Sequence, residues 1–207
     1  KIVNNINQKK KLIILEDAKK IIRSEGWSNN LFNKLKTNKI KITDLVYLFP
    51  NGYKDLLDLA MHEINSSLKY KIKKINIINL PISKRIKKIL TIRLEILNED
   101  KIFYKKTFNH LMLPQNTNIM KKNLYKSIDE MWYLAGDNST DFNFYTKRIT
   151  LAFIYINALF ILFNKNIDAA EINIDKNLKK ISKIPKIKDR FSFIKDSLPL
   201  FIKGLFN

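Results

Sequence analysis

Between Leu151 and Phe163 the chain reads LAFIYINALFILF, apolar or aromatic throughout except at Asn157. A helix so apolar on every side must be buried in a core, in a subunit interface or against lipid. The residues before it fix how it is entered. Gly136 closes the preceding amphipathic segment and is the residue type that turns a helix end left-handed. Asp137, Asn138, Ser139, Thr140 and Asp141 follow; the last three are good N-cap types, so a second helix is predicted to start there. Its first turns carry Asn143, Phe144, Tyr145, Lys147 and Arg148. Capping and core packing account for the two helices of this hairpin. They do not explain why aromatics, acids and bases crowd the start of one of them.

The rest of the chain carries the same kind of signal. At 207 residues, 45% hydrophobic, it can bury a core as one domain, with or without an appendage. Four glycines, five prolines and only two valines disfavour a β fold. The expected class is therefore all-α. The absence of cysteine excludes disulfides and thiolate metal sites, and no h-region with a cleavage site is visible, which argues against secretion.

Residues 1–11 are polar and basic without helical periodicity and are expected to be mobile. Leu12, Leu15, Ala18 and Ile22 then recur at helical spacing, and Gly26 ends that helix. Ser28 is predicted to cap a second helix with Leu31, Phe32 and Leu35 inward. Thr43 is predicted to cap a third over 44–49, stopped by Pro50. Three short helices in residues 1–50 read as a helix-turn-helix unit. Residues 51–184 supply a helical bundle: a long helix to about Ile75, one over 83–97 after Pro81, one over 101–113 before Pro114, the hairpin, and one over 168–183. Residues 185–207 form a basic tail after Pro185.

Within that tail Phe191, Ile194, Leu198, Phe201, Ile202 and Leu205 fall on one helical stripe, with Lys195, Asp196, Ser197 and Lys203 away from it. The segment is too short and too charged to span a bilayer. An apolar stripe among lysines suits an interfacial helix on anionic lipid; a last helix folded on the bundle is the alternative, and Pro199 could divide it. The net charge of +20 is less informative, since it rests on 34 lysines and only five arginines in a chain rich in Ile and Asn. Its distribution says more: residues 1–50 hold 11 basic and four acidic groups, and residues 176–207 hold nine and two.

The run GDNSTDFNFYTKR followed by an apolar helix resembles the motif of the accessory proteins of ubiquinone synthesis in mitochondria and alphaproteobacteria, whose mitochondrial member is the ninth coenzyme Q protein. One departure is Phe144, where that family usually has Trp. The segment Tyr47-Leu48-Phe49-Pro50-Asn51-Gly52-Tyr53-Lys54-Asp55-Leu56-Leu57 is similar to the junction of tetracycline-repressor-like regulators, a fold that the accessory family also uses. The resemblance implies a protein that binds lipid and presents a quinone precursor to the di-iron demethoxyubiquinone hydroxylase. By matching position, Asp141, Asn143, Phe144, Tyr145 and Arg148 would form the partner-facing patch. It further implies a homodimer through the last bundle helices, peripheral on the cytoplasmic face of a bacterial inner membrane or the matrix face of the mitochondrial one.

The residues themselves offer no catalytic constellation. His62 and His110 are isolated, and no Glu is followed three residues later by His, as a di-iron bundle needs. No Walker loop, dinucleotide turn or nucleophile elbow is present. Asp137 and Asp141 form a conceivable carboxylate pair, but capping explains Asp141 more simply. The expectation is a protein without enzymatic activity or cofactor, holding an isoprenoid quinone intermediate or a phospholipid between helices. Candidate walls are Leu124, Ile128 and Trp132 on one helix and Phe153, Ile156 and Phe160 on the next, with plain core packing as the alternative for each. The rival reading is a DNA-binding repressor with a lipid effector. Against it, the recognition segment 42–49 offers Thr43, Asp44 and Tyr47 but no Arg or Lys. Lys39 and Lys41 beside it could reach phosphate only, so no specific nucleic acid is expected.

Overall fold

A computed structural model of the chain describes residues 2–37, 40–138 and 142–183, together with 189, 192, 193 and 196. The described residues are all-α. In order the helices are α1 (Ile2–Glu25), α2 (Leu31–Thr37), α3 (Ile42–Leu48), α4 (Tyr53–Lys73), α5 (Ile82–Glu99), α6 (Lys101–Leu111), α7 (Thr117–Leu134), α8 (Phe142–Asn164) and α9 (Ile167–Ser182), with a 3-10 turn at Pro114–Asn116 before α7. They divide into two compact units, residues 1–63 with 100–111 and residues 64–99 with 112–207. The turn at Pro50 only starts α4; the units part further on, within that helix.

In the first unit α1 packs on α2 and α6. Residues 2–11, expected to be mobile, are helical instead and open α1. No Gly or Pro interrupts residues 2–25, and extending a nucleated helix by one residue costs little. Gly26, at φ +85°, ends α1, and the next residue, Trp27, turns inward. Its Nε1–H donates to Thr107 Oγ1 at 2.9 Å, and its ring stacks on His110. Burial holds the His110 imidazole below its ordinary pKa. Leu31 and Leu35 are buried as their spacing predicts. The third helix starts earlier than expected: Lys41 is the N-cap, without a side-chain hydrogen bond, so Thr43 lies inside the first turn. Gly52, at φ +65°, lets the chain enter α4, where the Asp55 carboxylate accepts from the Asn51 backbone N–H at 2.8 Å.

In the second unit α8 packs chiefly on α9 and then on α7, with α5 against both α7 and α9. By length and composition α8 could cross a membrane, with a mean hydropathy of 1.5 over an 18-residue stretch within 144–164, but 56% of that stretch is buried against its neighbours. It is the central core helix of this unit, and Leu151, Ile154, Ala158 and Leu162 are almost fully enclosed. Asn166 caps α9, its Oδ1 accepting from Ala169 N–H at 2.9 Å. Of the tail, Ser192, Phe193 and Asp196 are helical, and the Phe193 ring meets Phe153 edge-on at 6.0 Å. The expected stripe of Phe191, Ile194, Leu198, Phe201, Ile202 and Leu205 lies outside the described residues.

Candidate functional site

The corner after α7 is built on an arginine. Arg85 Nη1 donates to the Ala135 carbonyl at 3.0 Å, Nε donates to the Leu80 carbonyl at 2.7 Å, and Nη2 reaches the Ile78 carbonyl. The Ala135 carbonyl, at the C-terminal end of α7, needs a donor because a helix ends there, and the Ile78 and Leu80 carbonyls belong to the connection between α4 and α5. Gly136 turns there with φ +79°, and a Cβ added to it would stand 3.1 Å from Arg85 Nη1. No other residue fits the position without strain.

The turn sends Asp137 inward, where its side chain is only 3% exposed. Asp137 Oδ1 accepts from Lys147 Nζ at 2.7 Å, and Oδ2 stands 3.6 Å from Arg148 Nη1. Arg148 donates through Nε at 3.0 Å and Nη2 at 2.6 Å to Asp129 Oδ1. Its guanidinium lies over the Phe144 ring, 3.2 Å from the centroid. Phe144 in turn meets Tyr145 edge-on at 5.2 Å. Two neighbouring bases on α8 are thus set against two acids from α7 and the corner that follows it. An enclosed carboxylate without such partners would be strongly destabilising.

Lys147 serves a second surface. Its Nζ stands 5.6 Å from the centroid of the Trp132 ring, a cation–π distance. Both residues line a cavity of about 310 Å³ between α5, α7, α8 and α9. Its apolar wall includes Ile86, Leu151, Ile154 and Ile181, while Ser83, Thr146, Thr150 and Ser182 contribute hydroxyls. Trp132 is buried, yet its Nε1–H has no acceptor among the described residues. A buried unpaired donor costs about 1–3 kcal/mol, and a ligand oxygen reaching it would remove that cost. The chemistry on offer is apolar enclosure with a few donors, which is that of binding. Among the described residues no group of three or more His, Asp or Glu could hold a metal.

The residues singled out from the sequence scatter around this cavity. Of the six expected lipid walls only Trp132 lines it. Ile128, Phe153 and Ile156 are buried elsewhere, Leu124 is half-buried, and Phe160 is 38% exposed. The reason is rotational: Thr146, Thr150, Leu151 and Ile154 share one face of α8, and 153, 156 and 160 share another. In the expected patch Tyr145 is 64% exposed and Phe144 is half-buried. Arg148 is engaged within the unit. Asp141 lies outside the described residues, and Asn143 is placed only as part of α8. Sequence reading missed Asp129 as the partner of Arg148, and no local spacing announces it. It also passed over Lys147, whose position beside Arg148 in a helix start was the available signal.

Residues 118–184, which include Asp129, Trp132, Asp137, Lys147 and Arg148, match the family model described as COQ9. That match places the likeness to COQ9 on α7, α8 and α9. The chain is 50% identical over 50 residues to the bovine (Bos taurus) protein named ubiquinone biosynthesis protein COQ9, mitochondrial, which is 24% of this chain and 16% of that protein. Against the human protein of the same name it is 53% identical over 45 residues, 22% of this chain and 14% of the relative. A longer match, 26% identical over 170 residues, is to the probable ubiquinone biosynthesis protein coq9, mitochondrial, of Dictyostelium discoideum, and takes in 76% of this chain and 54% of that protein. The chain therefore matches about half, or less, of the length of these curated relatives. High identity is confined to a short stretch, while the Dictyostelium match extends over most of the chain.

Proposed function

We propose that this protein is a COQ9-like protein that serves ubiquinone biosynthesis as a lipid-binding accessory protein, without catalysis of its own, and presents an isoprenoid quinone precursor to the di-iron demethoxyubiquinone hydroxylase. The cavity carries the reading. Its apolar wall suits prenyl carbon, while the unpaired Trp132 N–H and the Lys147 ammonium suit an oxygen-bearing head. About 310 Å³ is room for a ring and the first prenyl units, so the remaining tail would run outward. The exposed Tyr145 and the Phe144 ring stand on the same helix as the cavity wall, which suits a hydroxylase docking there and taking the lipid.

The wider reading is a tetracycline-repressor-like fold, which the two short helices α2 and α3 after α1 support. Ile149 and Phe160, exposed on α8, support a homodimer through the last bundle helices. The basic, apolar-striped tail supports peripheral attachment to a membrane, on the matrix face if the chain shares the mitochondrial home of its named relatives. The DNA-binding alternative gains nothing from α3, whose exposed side chains include Ile42, Val46 and Tyr47.

Mass spectrometry of lipids extracted from the purified protein tests the proposal. The expected result is a co-purifying prenylated phenol, quinone or phospholipid. Thr150→Trp, which fills the cavity from its wall, should remove most of it while the helical circular dichroism is kept. A lipid-free wild-type protein, or an unchanged load in Thr150→Trp, would place the function elsewhere.

A further inference from the structure

Of the seven residues in α3, only Leu45 and Leu48 are buried. Ile42, Val46 and Tyr47 are 48%, 63% and 71% exposed. Positions 42, 46 and 47 share one side of a helix, so a unit shaped to present this element presents an apolar face. Solvent-exposed apolar residues are ordinary when single, but three on one face of so short a helix call for a covering surface. The polar surroundings say what kind. Lys10 Nζ stands 3.6 Å from Asp44 Oδ1, which neutralises the one acid on α3. Lys11 Nζ lies 5.7 Å from the Phe49 ring centroid, and Lys41, at the N-cap, is exposed. A polar groove beside the apolar face is lined by Asn7, Gln8, Lys11 and Tyr47. Residues 1–50 carry 11 basic and four acidic groups.

We infer that the outward face of α3, Ile42, Val46 and Tyr47 with Lys10, Lys11 and Lys41 around it, docks on an anionic bilayer. The chemistry matches layer by layer. Isoleucine, valine and the tyrosine ring enter the boundary between headgroups and acyl chains, where an amphipathic ring is at home. The lysines meet lipid phosphates and can keep their ammonium groups in water while their stems cover apolar surface. Asn7, Gln8 and the Tyr47 hydroxyl offer hydrogen bonds to headgroups. Duplex DNA fits poorly, because base edges are read by Arg, Lys, Asn or Gln, and the outward positions of α3 hold Ile, Val and Tyr. This surface is separate from the cavity of the other unit, so it stands or falls independently of the lipid-presentation reading.

The chain has no cysteine, so Val46→Cys in this 207-residue chain accepts a single environment-sensitive fluorophore at an exposed position. With vesicles of phosphatidylcholine and cardiolipin the label is expected to shift to the blue and brighten several-fold. Spin labels on the lipid chains should quench it, and vesicles of phosphatidylcholine alone should leave it unchanged. Ile42→Asp, on the same exposed face, should weaken partition to the anionic vesicles several-fold without moving the melting temperature. The inference is overturned if the label stays water-like while the chain floats with vesicles, since another segment would then make the contact. It is equally overturned if the label brightens with protein concentration alone, which would mean a second copy, or responds to duplex DNA and not to lipid.

Discussion

Asp137 shows how far a residue's role can lie from its local sequence. It stands in a run of polar linker residues, where a solvated carboxylate is the ordinary expectation, yet it is enclosed between Lys147 and Arg148. Replacing it by Asn keeps the shape and leaves two bases facing one carboxylate, that of Asp129. Asp137→Asn should therefore cost about 1–3 kcal/mol of stability in urea unfolding. Asp129→Asn should cost less than about 1 kcal/mol, because the Asp129 side chain is 46% exposed and water screens the pair. Equal losses from the two variants would mean that enclosure of Asp137 is not what stabilises the corner. The exposure of Tyr145, by contrast, was legible: an aromatic beside charges in a helix start has little core to enter.

At the scale of elements, α8 and the tail illustrate opposite cases. The apolar run of α8 requires burial, and most of it is covered by α7, α9 and α5. The tail has the lower hydrophobic density and the higher charge, and its described part touches the bundle through Phe193, with Lys180 Nζ 5.9 Å from that ring. Among the described residues, deleting 191–207 should remove the edge-on Phe193–Phe153 contact and the Lys180 ammonium's contact with the Phe193 ring, worth together about 1–2 kcal/mol. The bundle should stay folded. The same deletion should lower flotation with anionic vesicles several-fold, leaving a salt-sensitive remainder to the lysine-ringed face of α3. Unchanged flotation would assign all membrane contact to other parts of the chain.

Over the whole second unit the organising group is Arg93. It is fully buried, and its Nε, Nη1 and Nη2 donate at 2.7 Å each to Tyr155 Oη, Asn65 Oδ1 and Ser127 Oγ. One guanidinium on α5 thus ties α8, α4 and α7 together, with no acidic partner among the described residues. Its planar fork reaches three acceptors in three directions, which an ammonium cannot do. Arg93→Lys keeps the charge but should lose about 2–4 kcal/mol, seen as a lower urea midpoint. Near-wild-type stability of that variant would show that charge or volume, not the three-way fork, is what the site needs.

The sequence by itself determined where most helices end and which side of most of them is apolar, but not that α1 reaches back to Ile2 or that α3 has its N-cap at Lys41. Gly26, Pro50, Gly52, Pro81, Pro114 and Gly136 act through backbone sterics that depend only on near neighbours, and the Leu and Ile spacing sets an inward face. The hairpin at 131–163 and its family resemblance were legible for the same reason, since the motif is contiguous. Tertiary structure alone decided how far α8 is rotated among its neighbours, and so why Thr150 and Ile154 line the cavity while Phe153 and Phe160 do not. It alone paired Arg148 with Asp129, enclosed Asp137 and buried Arg93. Helical periodicity fixes a side chain's angle about its own axis. The angle toward other helices comes from how all of them pack, and partners 62 positions apart, such as Arg93 and Tyr155, meet only then.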